Sequence, residues 1–294
     1  MRREAAGIDT ANVKIDLHLH TNVSDGTDTP AELLEKVRAA GICVFSVTDH
    51  DAVKGAQTVK GLLREGDPAF IPGVEFSCKD EYGKYHILGY GYDPHSADIT
   101  ALVDRAHALR MKKVTARLDF LKDEFGFVFP EEEIDRLLTL DNPGKPHIGN
   151  LMVKYRYAGT KEEAIERFIN QKHFKSEYLK PEDAISGILA AHGVPVLAHP
   201  FYGSGDELIV GEEMEDRLRR LTEYGLRGIE AFYSGFSEKL RKNALSLADR
   251  YHLLVTAGSD YHGKNKLVKL GDTGLNADAK RPGGLERFLE IFEL

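Results

Sequence analysis

Short apolar, β-branched runs alternate along this chain with segments whose apolar residues recur every three or four positions. That alternation is the pattern of βα units building a parallel sheet. Seven runs read as strands: Val13–Thr21, Val44–His50, Phe70–Ser77, Tyr85–Tyr92, Val194–His199, Gly228–Tyr233 and Leu253–Ser259. Between them, Thr29-Pro30 supplies a cap and a first-turn proline for a helix through Val37 that stops at Gly41, and Glu215–Tyr224 and Ser237–Tyr251 read the same way. From about Ile99 to Leu179 the alternation ceases. Ile99–Phe125, Glu131–Leu140, Ile148–Tyr155 and Lys161–Asn170 all carry helical spacing, separated by Gly126, the Asn142-Pro143-Gly144 turn and Gly159. The expected organisation is an α/β domain made of 1–97 plus 181–294, interrupted by an all-helical lobe over 98–180 that covers its site. A helix over Pro181–His192 leads back into the fifth strand.

Composition narrows this only a little. At 294 residues the chain can bury a core without crosslinks. Cys43 and Cys78 lack the spacing of a zinc site and read as reduced packing thiols of a cytoplasmic protein. Met1–Thr10 is followed by no apolar run of the length that a signal peptide or membrane span requires. A net charge of −8 argues against binding long duplex nucleic acid, though a local basic patch can still hold a small phosphorylated substrate.

The strand ends change the picture. The first carries His18-Leu19-His20, two residues apart and therefore on one face, with Asp25 following in a Ser24-Asp25-Gly26 turn. The second ends Thr48-Asp49-His50, the third carries Glu75, the fourth opens with His86, the fifth ends at His199, and the seventh ends Ser259-Asp260-Tyr261-His262. Six of the twelve histidines thus fall at strand termini with carboxylates beside them, and in an α/β barrel the carboxyl ends form one rim where active sites are built. Asp49 reads either as a ligand or as an acceptor that orients His50. His95, His107, His173, His192 and His252 lack the placement and read as surface or packing residues. Imidazole and carboxylate without thiolate suit Mn²⁺, Fe²⁺ or Zn²⁺, and the number of donors exceeds what one ion uses. Two or three closely spaced ions suit hydrolysis of phosphate esters.

In order and spacing, His18-Leu19-His20-Thr21, Ser24-Asp25-Gly26, Thr48-Asp49-His50, Gly73-Val74-Glu75, Ala198-His199-Pro200 and Gly258–His262 resemble the motifs of the polymerase and histidinol phosphatase (PHP) superfamily. The resemblance implies a distorted (β/α)7 barrel resembling a TIM barrel, with a two- or three-metal site. It implies that His18, His20, Glu75 and Asp260 hold one ion, that Glu75 bridges to a second held by His86 and His199, and that Asp25, His50 and His262 hold a third. Some members have His where Asp25 stands here, which bears on filling of that third site. The helical lobe resembles the stand-alone bacterial branch that takes phosphates from small nucleotides, including nucleoside 3′,5′-bisphosphates, or degrades short 5′-phosphorylated RNA. In that branch a basic residue, Pro and His contact the substrate phosphate, and Lys145-Pro146-His147 match them.

The mechanism implied is in-line attack on phosphorus by a metal-bridging hydroxide, with Lys145 and His147 taking up charge on the phosphoryl oxygens. Asp260 is the candidate for proton movement, with His199 and His262 as competitors, and Glu75 as the bridge completes the catalytic set. Tyr202, Tyr233 and Ser234 lie just past strand ends, where they either line a leaving-group pocket or pack the loops. The alternatives are a histidinol-phosphate phosphatase, a metal-dependent amidohydrolase, for which no bridging Lys follows Gly89–Tyr92, and a metal-binding scaffold without activity. The expected partners are a small phosphorylated substrate and no membrane, with a monomer or small homo-oligomer as the assembly.

Overall fold

The computed structural model describes residues 13–172, 178–203, 208–276 and 280–294. His173 and Met1–Thr10, both read above, lie outside them. Among the described residues the chain forms two sheets. The first has parallel order β1 (Ile15–Leu19), β2 (Val44–Val47), β3 (Ala69–Phe70). The second has order β4 (Gly73–Lys79), β5 (Lys84–Tyr90), β6 (Val194–Leu197), β7 (Gly228–Tyr233), β8 (Leu254–Gly258). Single bridges, His50 to Glu75 and Leu19 to Tyr261, join the two sheets at both seams.

Two expectations are corrected here. The run read as one strand over Phe70–Ser77 is two, because Pro72 has no N–H to give a ladder and the pairing partner changes across it. Gly73 then passes so close to β2 that a Cβ would lie 2.3 Å from Ser46 Oγ. The sheet is also not wholly parallel: β5 runs antiparallel to both β4 and β6. Only Asp80–Gly83 joins β4 to β5, and four residues make a hairpin but cannot make a crossover.

The helices follow their local signals. Thr29 and Glu32 form a capping box for α1 (Pro30–Ala39), and Ser237 caps α9 (Glu238–Arg250). Two helices not read from the sequence, α2 (Lys54–Leu62) and α10 (Gly283–Glu290), pack against β2 and β8. Every residue of β1, β2 and β6 is buried, so these strands are covered on both faces. One apolar cluster spans β4–β8 together with α7 (Pro181–Ala190), α8 (Glu212–Glu223), α9 and α10. A second packs Phe45 and Val47 of β2 against Leu33, Leu34 and Val37 of α1.

The segment between β5 and α7 has a core of its own. Val114, Leu118 and Leu121 of α3 (Ala97–Phe125) pack with Leu137 of α4 (Glu131–Leu138), Ile148 and Met152 of α5 (Lys145–Lys154) and Ala164 of α6 (Lys161–Arg167). Ser96 caps α3 at one end and Gly126, with φ +69°, closes the other.

Candidate metal centre

The site is built around Glu75, the third residue of β4, fully buried at the seam where β4 meets the end of β2. Five imidazoles face its two oxygens. His18 and His20 from β1 lie 3.2 Å from Oε2 and His50 3.1 Å, while His86 at 2.9 Å and His199 at 3.2 Å face Oε1. The reversed direction of β5 explains how His86, near the start of its strand, meets residues at the ends of the others. Asp260, just past β8, aims Oδ1 at His18 (3.6 Å), His20 (3.5 Å) and His262 (3.3 Å). Asp25 approaches from outside, 3.2 Å from His262, 3.7 Å from His20 and 3.8 Å from His50.

All nine residues expected to hold metal therefore lie in one cluster. The donor atoms of eight of them form three overlapping groups: His18, His20 and Asp260; His50, Glu75 and His86; and His20, Asp25, His50 and His262; His199 lies outside these groups, 3.2 Å from both Glu75 and His86. This differs from the partition implied by the resemblance, because His50 sits closer to Glu75, at 3.1 Å, than to Asp25, at 3.8 Å, and both His20 and His50 belong to two groups.

Several of these donors are poorly satisfied without a cation. His18 Nε2, His20 Nε2, His50 Nδ1 and Glu75 Oε2 are buried and have no aligned hydrogen-bond partner, although each of the three nitrogens lies 3.1 to 3.2 Å from Glu75 Oε2. Buried polar atoms are nearly always paired, and four orphans aimed at a common point are what a divalent cation would satisfy. The electrostatics agree. Burial would depress both first-strand imidazoles, yet Glu230, Glu75 and Asp260 drive His18 well above its usual value, and contacts with Asp260 and Glu75 raise His20 to about 9. Burial instead holds His50 down near 3. Glu75, which burial would push up, is driven well below the usual carboxylate range by His50, His18 and His86.

Second-layer contacts fix the ligands. Glu230 of β7, fully buried, meets His18 Nδ1 at 2.9 Å and accepts the His199 backbone N–H at 2.8 Å. Tyr233 Oη and Lys266 Nζ donate to the outer oxygen of Asp260 at 2.9 and 2.5 Å. His199 (φ +24°) and Asp260 (φ +59°) both adopt left-handed backbone, a strained setting that persists where surrounding bonds fix it. Here the Glu230 carboxylate holds the His199 N–H, and the His18 carbonyl holds that of Asp260 at 2.9 Å.

Two cavities open from the cluster. One, of about 290 Å³, is lined by His50, Glu75, His86, His199 and Asp260 together with Tyr202, Tyr233, Gly235 and Lys266. Ser234, expected beside Tyr202, is not among its lining residues, and Gly235 stands there instead. The other, of about 300 Å³, lies between His50 and His86 and the helices α3 and α5, and Lys145, Pro146 and His147 all line it. Lys145 Nζ donates to Asn170 Oδ1, and His147 Nδ1 accepts the Gly144 N–H. Asp49 faces neither the donors nor His50: its carboxylate accepts from the Thr21 N–H, the Thr21 hydroxyl and the Ser24 hydroxyl, bracing the loop that carries Asp25. His95, His107, His192 and His252 stay outside the cluster.

Sequence reasoning missed Glu230, Lys266 and the basic face of α3. A lone carboxylate in the apolar run Gly228-Ile229-Glu230-Ala231-Phe232 was a legible signal for the first. Arg110, Lys113 and Arg117, spaced three and four apart, were one for the last.

Residues 16–166 match the PHP domain. The chain belongs to the PHP domain family. It is similar to the phosphoribosyl 1,2-cyclic phosphate 1,2-diphosphodiesterase of Eggerthella lenta, at 31% identity over 85% of this chain and 94% of that one. The 3′,5′-nucleoside bisphosphate phosphatase of Chromobacterium violaceum is 28% identical over 84% of this chain and 87% of that protein. A crystal structure from Bifidobacterium adolescentis, provisionally described as a metal-dependent phosphoesterase, superposes with a TM-score of 0.76 at 27% identity, covering 90% of this chain and 93% of the other. The family resemblance and the hydrolase class expected from the strand-end residues agree with these relatives.

Proposed function

We propose that this chain is a metal-dependent phosphoesterase that removes phosphate from small nucleotides, nucleoside 3′,5′-bisphosphates among them, or from the 5′ end of short oligonucleotides. The observation that carries the reading is the set of four orphaned atoms, Glu75 Oε2 and the three imidazole nitrogens around it, of which His50 opens onto a cavity walled by cations. Relatives acting on a cyclic ribose phosphate and on nucleoside bisphosphates support the substrate class.

The reading includes two or three divalent ions (Mn, Fe or Zn) held by His18, His20, Asp25, His50, Glu75, His86, His199, Asp260 and His262. Bound there, such ions supply an activated water and positive charge for the phosphoryl oxygens. The chain's own residues do the rest. Glu230 orients His18, and Glu75 ties the ligands of β1, β2, β5 and β6 to one centre. Asp260 is the proposed proton carrier: Tyr233 and Lys266, both on its outer oxygen, line the cavity and connect it to the substrate side. His199, on the same cavity wall, faces the leaving group, with Tyr202 beside it. Lys145 and His147 hold the phosphate from the helical side.

The architecture belongs to the same proposal, a distorted (β/α)7-like barrel over 1–97 and 181–294 whose seams are the two single bridges, with 98–180 as a covering lobe. No helix among the described residues is long and apolar enough to cross a membrane. With two unpaired cysteines, a cytoplasmic location and no membrane partner are part of the reading. The test is a panel of mononucleotides, nucleoside bisphosphates, short 5′-phosphorylated oligonucleotides, histidinol phosphate and an N-acyl amino acid, assayed with Mn²⁺-loaded protein. Release of phosphate or mononucleotide from the nucleotide members is expected. Turnover confined to histidinol phosphate or the amide would overturn the proposal.

A further inference from the structure

Lys113 is an amine set among guanidinium groups. Arg110 and Arg117 stand three positions before it and four after it on α3, so the three side chains leave one face of the helix and line the same cavity of about 300 Å³. The single carboxylate among the lining residues, Asp25, makes its contacts with His20, His50 and His262, and Asp51 is taken by Arg110. Among the described residues no carboxylate pairs with Lys113, whereas Lys36, Lys54 and Lys154 each have one. Its Nζ lies instead 3.1 Å from the centre of the Tyr178 ring, a face that accepts an N–H from an ammonium or from a free amine. Burial, and then the charge of Arg110, lowers this half-buried group to about 7, and Arg117 and Lys84 act in the same direction against Asp51. A desolvated lysine beside other cations is the setting that makes the amine a nucleophile. Arg110 adds an unspent donor, because its Nε is buried and has no hydrogen-bond partner.

We infer that Lys113 is a modification site for carbon dioxide, its side-chain amine forming a carbamate that Arg110 and Arg117 hold. The Nζ lone pair attacks carbon, one C=O pair moves onto oxygen, and the proton lost from Nζ goes to water. No oxidant, metal or leaving group enters the balance. The electrophile is chosen by the charge of the product. An imine formed with an aldehyde returns a cation to the same crowd once protonated, whereas the carbamate is an anion with two acceptor oxygens, so a position that repels its neighbours comes to attract them. The reaction is reversible, and it replaces one of the cations on the cavity wall with a negative charge. Carbon dioxide then acts as a reversible inhibitor toward anionic substrates. That consequence rests on the proposed function; the adduct itself does not.

The test uses the full chain as purified, equilibrated at mildly alkaline pH with carbon-13-labelled bicarbonate as the source of carbon dioxide. The adduct is read as a carbamate carbonyl resonance by NMR, then fixed by alkylation with triethyloxonium and mapped by peptide mass spectrometry. Label on Lys113 of the wild-type protein is expected. Lys113→Arg should abolish the resonance, and Arg117→Gln, which keeps the amine and removes one cation, should lower occupancy about tenfold, the scale of one lost charge-assisted hydrogen bond. Wild-type Lys113 without label would overturn the inference, and so would a resonance that survives Lys113→Arg. With Mn²⁺-loaded protein, kcat/KM for a nucleoside bisphosphate should fall as carbon dioxide rises at constant pH and ionic strength, and the fall should vanish in Lys113→Arg whatever that variant's own activity. A labelled Lys113 in a protein that hydrolyses no phosphate ester under any metal would uphold the carbamate and defeat the proposed function, so the two failures are separable.

Discussion

Glu230→Gln is a perturbation whose outcome follows from two hydrogen bonds. One Glu230 oxygen meets His18 Nδ1 at 2.9 Å, and the other accepts the His199 backbone N–H at 2.8 Å, both in full burial. A backbone N–H can only donate, so the glutamine oxygen must stay on His199 and its NH₂ must turn toward His18 Nδ1. Nδ1 then has to accept, which places the imidazole proton on Nε2, the atom that lies 3.2 Å from Glu75 and faces the cluster. A protonated Nε2 cannot ligate a cation. Loss of such an outer partner costs about tenfold to a hundredfold in metal affinity, or about 1.4–2.7 kcal/mol at 1.36 kcal/mol per decade. The opposite amide orientation keeps the His18 tautomer but sets NH₂ against the His199 N–H, leaving a buried donor unmet at about 1–3 kcal/mol of stability. The assay is competition for Mn²⁺ against a chelator, run beside thermal unfolding of the metal-free protein. Weaker metal binding or a lower melting temperature is expected. Wild-type values in both would refute the reasoning, since neither orientation would then carry a cost.

Four further outcomes follow from the geometry. Glu75→Gln removes the charge that faces five imidazoles, so metal content by elemental analysis and turnover should fall together; full activity at full occupancy would remove Glu75 from the centre. With His20 raised to about 9, the metal-free protein holds that proton at pH 7, so metal uptake must expel it and apparent affinity should rise with pH up to about 9. Calorimetric heats that do not vary with the ionisation enthalpy of the buffer would contradict this. A Cβ on Gly258 would lie 2.2 Å from the His18 Cβ and 2.4 Å from Glu230 Oε1, so Gly258→Ala should lower stability by about 1–3 kcal/mol and loosen metal binding, read by denaturant unfolding and chelator competition. Lys145→Ala and His147→Ala should keep metal content while cutting kcat/KM for a nucleoside bisphosphate by about tenfold or more, with little change on a small ester.

Most of the donors that now meet at Glu75 were legible in the sequence because they are written at or just past strand ends, and strand ends of α/β units share a rim. What escaped was set by relations between strands. The reversal of β5 was written in the four residues between Lys79 and Lys84, which allow only a hairpin. Without that reversal His86, at a strand start, belongs at the wrong end. Asp49 read either as a ligand or as an acceptor that orients His50, because it precedes His50 in the chain, yet both lie past the end of β2 and its carboxylate turns to Thr21 and Ser24. Lys266 reaches Asp260 from a loop where no period predicts direction, so its role becomes visible only in three dimensions.

The reversal of β5 also sets the length of α3. Running antiparallel, β5 ends at Tyr90, opposite Gly73 and Val194 at the beginnings of their strands and four residues beyond the ligand His86. The chain must climb back. The four residues from Tyr90 back to the level of His86 span about 13 Å, a height that takes roughly nine helical residues, and α3 continues beyond that to bring Arg110, Lys113 and Arg117 to the cavity. The first half of α3 is thus a measuring rod, tolerant of substitution on its exposed side and intolerant of changes in length. Adding or deleting one residue between 97 and 109 would swing the cations by about 100° and carry them off the cavity wall, while a whole turn would keep their bearing and misplace them by about 5 Å.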